Sequence, residues 1–479
     1  MPLRELLRWL PSARIVGDDG VRVESIVADS RDVHSGSLFA ALRGTHADGH
    51  RYVRDAITRG ASAVLVEDEP PAADATAVIV DDTARALSCV AAQFYGDPSQ
   101  DLTIVGITGT NGKTTTVQMV ATILNQAGVP CASVGTIGAR FRERITTLQH
   151  TTPFAPQLQG LLAEFRQRGA RAAALEISSH ALAQHRADDV RFEVGALTNV
   201  TRDHLDFHQT MEAYAAAKRR LFTLAATCVF NADDQYGRRW AADFARLKPV
   251  VTYGLHTDAA VRATQLQTAA DESSFSVDGT RFRVRLPGKF NVANALCAIG
   301  CARSIGISDQ ECARALESLE RVPGRTEQVA RGGLRVMVDY AHTPDALDRV
   351  LSAVREHCAK LILVFGCGGD RDRGKRAEMG AVAARWADYI YVTSDNPRSE
   401  DPATIAREIV RGVDGAAHAV ELDRRAAIEQ AIARGAPGDM VVIAGKGHEA
   451  YQIVGDRVLP FDDLAVARAV LNARAAVTP

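Results

Sequence analysis

No apolar run in this chain approaches the roughly 20 residues that a helix needs to cross a bilayer. The opening MPLRELLRWL is too short and too interrupted by charge for a secretion signal. A cytoplasmic protein with no membrane partner is therefore expected. Cysteine is scarce and scattered: the eight cysteines, at 89, 131, 228, 297, 301, 312, 358 and 367, include no C-x-x-C pair. Neither a disulfide framework nor a zinc site is indicated, and the thiols read as reduced, mostly core residues. Neither sign of charge is in excess. With 56 Lys and Arg against 58 Asp and Glu the formal net charge is −2, which removes any global electrostatic case for nucleic acid but leaves room for local basic sites that bind small anions. No internal repeat stands out, and no low-complexity tract beyond alanine-rich helices.

What remains is an ordinary globular composition, 46% hydrophobic and 24% charged, in a chain of 479 residues that suggests about three domains at roughly 150 residues each. Short apolar runs at Ala77–Val80, Leu102–Val105, Leu361–Phe365 and Met440–Ile443 alternate with longer alanine- and arginine-rich stretches of helical period. This is the pattern of buried parallel strands with crossover helices. Turn-rich segments at Tyr95–Ser99 and Arg321–Arg325 mark boundaries. They divide the chain into 1–98, 99–324 and 325–479. Alternation from Ala263 to Leu286 predicts an antiparallel segment late in the middle unit, and a fresh strand, Leu334–Asp339, opens the last one.

The run from Val105 to Thr116, VGITGTNGKTTT, joins an apolar strand, a glycine-rich turn and a helix-opening Lys-Thr. Glycines let backbone N–H groups converge on phosphate oxygens, the helix N-terminus adds a positive field, and a lysine neutralises the terminal phosphates. The loop Gly109, Thr110, Asn111, Gly112, Lys113, Thr114 and Thr115 is thus a candidate ATP cradle, with the Thr114 hydroxyl directed at Mg²⁺. The spacing departs from the common P-loop, with glycines at 106 and 109 and an isoleucine where the first glycine usually stands.

Further polar groups follow apolar strands, where α/β domains bind ligands. Glu176, in LEISSH, stands at the end of an apolar strand with hydroxyls in the loop that follows, and His204 lies between two acids in TRDHLD. Each is a candidate Mg²⁺ ligand, and each also reads as an ordinary loop residue or helix cap. Lys218, in YAAAKRRLF, reads on its own as a solvated helix face. Asn291 and Asn294 lie one helical turn apart in PGKFNVAN and fit a nucleotide contact or a cap plus surface amide. Three polar loops, GCGGDRDRGKR from Gly366, SDNPR from Ser394 and GKGHE from Gly445, converge on one candidate site. Arginines there can grip a carboxylate and acids an ammonium, which suits an amino acid.

Taken in order, GTNGKTTT, EISSHALAQHR, NVTRDHLDFH, AAAKRRLF, GKFNVANALCA, PGRTE, DYAHTPDAL, TSDNPRSEDP and GKGHE resemble the Mur ligases, from Asp29-Ser30-Arg31 through Glu449. The resemblance implies an α/β fold of three domains: a UDP-sugar-binding N-terminal domain, a central P-loop ATPase domain with a mainly parallel sheet, and a C-terminal Rossmann-like domain that binds the amino acid. It implies a monomer in which ATP phosphorylates a D-glutamyl carboxylate to an acyl phosphate that an amine then attacks, in the assembly of peptidoglycan precursors. By motif position, Lys113, Glu176, His204 and Lys218 carry catalysis. Thr114, Glu176, His204 and a carbamylated Lys218 match metal-binding positions, and Asn291, Arg325 and Asp339 match further nucleotide contacts. Ser30, Thr45, His46 and Ala47 match uridine contacts, and Thr151, Thr152, Ser178, Gln184 and Arg186 match contacts to the UDP-N-acetylmuramoyl-L-Ala-D-Glu substrate. His150 stands where the family often has Asn. Arg371, Asp395, Asn396, Pro397, Arg398, Gly445 and Glu449 match the amino-acid site. The Asp-Asn-Pro-Arg tetrad resembles that of members taking meso-2,6-diaminopimelate, whose second carboxylate Arg398 can pair. The rival readings are a folylpolyglutamate synthase-like ligase, in which the Ser30 segment and the tetrad are not expected, and an inactive nucleotide-binding scaffold, against which Lys113, Glu176, His204 and Lys218 together argue.

Overall fold

The computed structural model describes residues 1–10, 12–44, 47–68 and 75–477. The expected uridine contacts Thr45 and His46 lie outside the described residues. Near the N-terminus a five-stranded sheet runs in the order Arg14–Val16, Thr76–Ile79, Ala63–Val66, Ser37–Ala40, Ser25–Val27. Its first pair is antiparallel and the rest parallel.

A nine-stranded sheet follows, with Thr103–Thr108 at its centre between Phe192–Leu197 and Ala172–Glu176. Six strands run parallel from Val250–Gly254 to Cys131–Gly135, counting the edge strand Val261–Arg262 as a seventh, and Gly138–Phe141 and Arg144–Thr146 turn back as an antiparallel meander. The central strands are buried at all but one residue each at most, which is why they read as nearly continuous apolar or alanine runs. Two glycines let the layers close. A Cβ at Gly106 would fall 2.7 Å from the Phe192 ring and one at Gly195 2.8 Å from the Ala225 Cβ. The helices Lys113–Gln126 and Lys289–Ser304 bury Val117, Val120, Ile123, Val292, Leu296 and Ile299 in one core with this sheet, each large aliphatic side chain contributing about 1.5–3 kcal/mol.

The alternation at 263–286 forms a three-stranded antiparallel sheet, Thr264–Thr268, Ser273–Val277 and Thr280–Val284. A six-stranded sheet comes next, ordered Glu327–Arg331, Leu334–Asp339, Met440–Ala444, Leu361–Phe365, Tyr389–Val392, His418–Val420, and antiparallel only at its first pair. A separate hairpin, Tyr451–Val454 with Arg457–Pro460, precedes the last helix, Asp463–Val477. Among the described residues no helix is long and apolar enough to cross a membrane.

Candidate functional site

The glycine-rich loop leaves the end of Thr103–Thr108 with Gly109 at φ 146° and Gly112 at φ 89°. Neither position has room for a side chain: a Cβ would lie 1.9 Å from Thr198 Oγ1 at Gly109 and 2.2 Å from Asn294 Oδ1 at Gly112. The loop between them is pinned from the neighbouring strand end. Asn111 N–H donates to Asn199 Oδ1 at 3.0 Å, and the Asn111 carbonyl accepts from Thr198 Oγ1 at 2.6 Å and Asn199 Nδ2 at 3.1 Å. Lys113 Nζ folds back onto the carbonyls of Gly109 and Thr110 at 2.9 and 2.8 Å. Burial lowers its pKa, against the pull of Glu176 and Asp203.

Glu176, at the end of Ala172–Glu176, is 1% exposed. Its oxygens accept from Thr136 N–H at 2.9 Å, Thr136 Oγ1 at 3.0 Å and Thr114 Oγ1 at 3.1 Å. Arg325 reaches across from the approach to the six-stranded sheet, its Nη2 donating to Thr114 Oγ1 at 2.8 Å while the guanidinium lies 4.4 Å from the Tyr340 ring. Arg325 Nε is buried with no hydrogen-bond partner. Asp339 accepts from the N–H groups of Thr326 and Ala341 at 2.7 and 2.8 Å, and burial raises its pKa. Asn291 donates to Pro287 O at 2.8 Å and receives Asn294 Nδ2 at 3.2 Å. Together with the loop these groups line one cleft of about 200 Å³ between the two sheets.

On the far side of the loop Lys218 is buried, 2% exposed, on the helix Met211–Leu224. Its Nζ donates to Gly109 O at 2.7 Å and sits 4.3 Å from the Tyr214 ring. Burial, then the nearby Lys113 charge, holds its pKa well below the usual lysine value. The solvated-face reading of Lys218 is thereby corrected: Tyr214, Lys218 and Leu221 share the face turned to the sheet. His204 adopts φ 54° and lies 3.3 Å from Asp203 Oδ2. Burial lowers its pKa to about 3, so the imidazole is neutral at pH 7, with one ring nitrogen carrying a proton and the other a free lone pair.

Thr114, Glu176 and His204 line the loop cleft together, and the hydroxyl and carboxylate oxygens of the first two are of the kind Mg²⁺ takes. Among the described residues no three His, Cys, Asp or Glu side chains form a metal-holding group. Such a dedicated cage is what zinc requires; Mg²⁺ beside a nucleotide takes one or two carboxylates and fills its shell with phosphate oxygens and water.

The three loops at the end of the six-stranded sheet meet. Asn396 Nδ2 donates to Glu449 Oε2 at 2.8 Å, Lys446 Nζ lies 3.1 Å from both Asn396 Oδ1 and Glu449 Oε2, and Asn396 N–H donates to Asp395 Oδ1 at 2.7 Å. Gly445, at φ 113°, leaves no space for a Cβ, which would fall 2.6 Å from Asp395 Oδ2. Arg398, also at positive φ, 52°, sends Nη1 to Gly369 O at 2.7 Å. Its pKa is lowered by burial and then by the neighbouring Arg371. Two arginines and two carboxylates thus share one small region.

A second cleft, of about 1060 Å³, opens between the five-stranded and nine-stranded sheets, lined by Asp29, Arg31, Arg43, His150, Phe154 and Gln184 among others. Ser30 lies in the short turn Ser30–Asp32 between two of these residues, and Ala47 is exposed with its carbonyl accepting Gly44 N–H at 2.9 Å. Behind the cleft Arg186 stacks 3.9 Å from the Phe154 ring, donates to Thr152 O at 2.8 Å and pairs with Gln184 Oε1 at 2.6 Å. Thr152 Oγ1 donates to Glu176 O at 2.7 Å and accepts from Ser178 N–H at 3.0 Å. Thr151 Oγ1 lies 3.1 Å from Thr136 Oγ1. A hydrogen-bonded path therefore runs from this cleft to Glu176.

Three family descriptions match the chain in sequence: "Mur ligase family, catalytic domain" over residues 22–95, "Mur ligase middle domain" over 107–302 and "Mur ligase, glutamate ligase domain" over 324–447. A protein of Thermosynechococcus vestitus is 45% identical, over 94% of each chain, and one of Geobacter metallireducens is 43% identical, over 97% of each. Both are named UDP-N-acetylmuramoyl-L-alanyl-D-glutamate–2,6-diaminopimelate ligase. The chain belongs to the Mur ligase family. A solved structure of a ligase with the same name superposes on this Mur ligase with a TM-score of 0.69 at 33% identity, over 99% of both chains.

The sequence-expected residues of this Mur ligase fall into three places: Gly109–Thr115, Thr151, Glu176, Ser178, His204, Lys218, Asn291, Arg325 and Asp339 around the loop cleft, Arg371, Asp395–Arg398, Gly445 and Glu449 at the end of the six-stranded sheet, and Ser30, Thr152, Gln184 and Arg186 on or behind the larger cleft. Not anticipated was the group around Asp203, whose carboxylate lies 3.8 Å from His342 and 3.9 Å from Lys375. Burial works to raise the Asp203 pKa, but the surrounding charges, Lys375 among them, and the His204 backbone N–H outweigh it and lower it. Thr136, which holds Glu176, was also missed. Asp203 stood in the motif that supplied His204, but Thr136 carries no signal in the sequence.

Proposed function

We propose that this Mur ligase joins meso-2,6-diaminopimelate to UDP-N-acetylmuramoyl-L-Ala-D-Glu with hydrolysis of ATP to ADP and phosphate. The observation that carries the reading is the Arg325–Thr114 hydrogen bond of 2.8 Å: groups from the nine-stranded and six-stranded sheets close on one phosphate loop. Each of the other two reactants has a polar region of its own, the larger cleft and the loops at the end of the six-stranded sheet. The division of the chain into 1–98, 99–324 and 325–479 belongs to the same reading, and it is supported by each sheet falling within one of these spans.

The D-glutamyl carboxylate oxygen attacks the γ-phosphorus of ATP and the β–γ bridging bond breaks, giving an acyl phosphate and ADP. The loop N–H groups, Lys113 and Arg325 hold the phosphates and offset the charge gathered during transfer. Thr114, Glu176 and His204 would hold Mg²⁺, which when bound would supply Lewis-acid polarisation of the phosphoryl oxygens. The amine of diaminopimelate then attacks the acyl carbon, phosphate leaves, and a proton passes to solvent. Arg371 and Arg398 receive a carboxylate of the amino acid, and Asp395 and Glu449 its ammonium groups. Because Lys218 is buried and holds its proton poorly, its neutral amine can add CO₂ and lose a proton to give a carbamate. That carbamate is an oxygen ligand, where an ammonium would repel the metal. A monomer in the cytoplasm, where ATP and UDP-sugars are found, belongs to the same reading.

Phosphate release is the test, measured with the UDP-dipeptide, ATP and Mg²⁺ and with meso-diaminopimelate, L-lysine or no amino acid. Release with diaminopimelate alone, together with the tripeptide by mass, is expected. Lysine use would retain the ligase and overturn the amino-acid assignment. Arg398→Ala is expected to raise the KM for diaminopimelate by roughly one to two orders of magnitude, the scale of a lost charge-assisted pair, with the KM for ATP little changed. Equal losses for both would remove Arg398 from the amino-acid site.

A further inference from the structure

The hairpin Tyr451–Pro460 has no sheet to join. Its outer strand, Arg457–Pro460, is exposed at all four residues, with Val458 at 66% and Leu459 at 44%. Two strands of four residues are marginal on their own in water. The inner strand, Tyr451–Val454, is tied to something else: the loop Asp395–Arg398. Gln452 Nε2 donates to Asp395 O at 2.8 Å, and Ile453 N–H donates to Asn396 Oδ1 at 3.0 Å. Arg398 N–H donates to Ile453 O at 3.1 Å, Gly455 N–H donates to Arg398 O at 2.8 Å, and Arg398 pairs with Val454 as a single parallel bridge. Four hydrogen bonds thus reach three of the four residues of the tetrad.

The pattern explains how Arg398 is held at φ 52°, a conformation that a non-glycine residue adopts at a cost of order 1–3 kcal/mol. Both of its backbone polar groups are occupied by the hairpin, so its Cβ direction, and with it the aim of the guanidinium, is fixed from outside the loop. Asn396 is gripped twice, by Ile453 N–H on one side and by Lys446 Nζ on the other. Gln452 is the residue of the hairpin whose side chain, rather than backbone, makes the tie.

We infer that the inner strand of this hairpin sets the geometry of the amino-acid site, with Gln452 a positioning residue for recognition of the diamino diacid. The inference rests on the proposed diaminopimelate activity. Gln452 touches no substrate in this account: it acts through the Asp395 carbonyl and so through the adjacent Asn396 and Arg398. Loss of its hydrogen bond frees the loop to leave the aimed conformation, which weakens the amino acid and leaves the phosphate loop unaffected.

The test uses the whole enzyme and two variants. Gln452→Met keeps the length and apolar stem of the side chain without its N–H, and Gln452→Ala removes both. With ATP and UDP-dipeptide saturating, both are expected to raise the KM for meso-diaminopimelate by roughly tenfold, the scale of one hydrogen bond. The KM for ATP should stay within about twofold on that same basis. Preference over L-lysine falls in parallel. A Met variant with wild-type KM would assign Gln452 to packing alone and overturn the inference, as would equal increases for ATP and diaminopimelate. A wild-type enzyme that releases no phosphate with diaminopimelate would instead overturn the proposed activity, and this inference with it.

Discussion

Lys218 shows how far one residue's chemistry depends on where its helix is docked. Its ammonium would be an ordinary surface charge in water; beneath the phosphate loop, with Lys113 nearby, the protonated form is disfavoured. The consequence is testable without turnover. Isotope-labelled CO₂ is expected to give a carbamate signal in the wild-type enzyme that disappears in Lys218→Arg, and the variant should lose at least two orders of magnitude in phosphate release, as is usual for a removed charge-stabilising group. A carbamate signal that persists in Lys218→Arg would assign the modification elsewhere. The spacing Tyr214, Lys218, Leu221 already put this lysine on an apolar face, yet composition alone read it as solvated. The phosphate loop was plain in the sequence because its glycines, lysine and threonines are contiguous. The Asp203, His342 and Lys375 group was not, because its members meet only after two sheets pack.

Among the elements, the helix Lys375–Trp386 is anchored through Arg376, which is fully buried. The guanidinium donates to both oxygens of Glu400 at 2.8–2.9 Å, to Glu408 at 2.7 Å and to Gly368 O at 3.2 Å. Glu400 Oε1 also accepts Asp370 N–H at 2.7 Å, so this pair joins two of the three loops at the amino-acid site. Arg376 chiefly holds the Glu400 pKa down to about 2. A depressed carboxylate contributes stability that is full above its unfolded value near 4.5 and is lost as pH falls toward about 2. Glu400→Gln is expected to cost about 1.5–3 kcal/mol at neutral pH, with the gap from wild type in urea denaturation closing between those two pH values. A gap that stays constant down to pH 2 would contradict the ion-pair account. Strands were more legible than ties of this kind. Leu361–Phe365 and Leu334–Asp339 appear as expected, and Ala77–Val80 and Met440–Ile443 appear within one residue. Leu102–Val105 proved to be the start of a longer strand, Thr103–Thr108, because Gly106 interrupts an apolar run that the sheet continues through. The hairpin Tyr451–Pro460 went unread although Gly455-Asp456 marks its turn.

At the scale of the whole molecule, several polar contacts besides those of Asp203 join the two sides of the nucleotide cleft. Arg325 meets Thr114, Asn111 Nδ2 donates to Asp345 Oδ2 at 2.9 Å, and Arg202 bridges Asp372 at 3.3 Å and Glu378 at 2.8 Å. Hydrogen bonds of this kind are worth about 0.5–1.5 kcal/mol each, so the closed arrangement is poised for shifts by ligand. Asp345→Ala combined with Arg202→Ala, which removes three of these bonds, is expected to enlarge the radius of gyration in small-angle scattering and to weaken ATP binding by roughly tenfold or more. ATP and the UDP-dipeptide should compact the double variant again. Identical scattering curves for wild type and variant, with and without ligands, would count against closure. The order of the nine-stranded sheet and these bridges were beyond reach of the sequence, since both join segments far apart along the chain.

The tie between the hairpin and the tetrad also bears on how such an enzyme could be re-specified. Exchanging Asp395–Arg398 for the corresponding loop of a ligase with another amino-acid preference would carry over the side chains and leave behind the strand that bends them. The new loop would then lean on a foreign Gln452 and Gly455, with its arginine or its replacement aimed by the old scaffold. The transplantable unit is two stretches of sequence more than fifty residues apart, 395–398 and 451–455, and swapping one alone should yield an enzyme that has lost its first preference without acquiring the second.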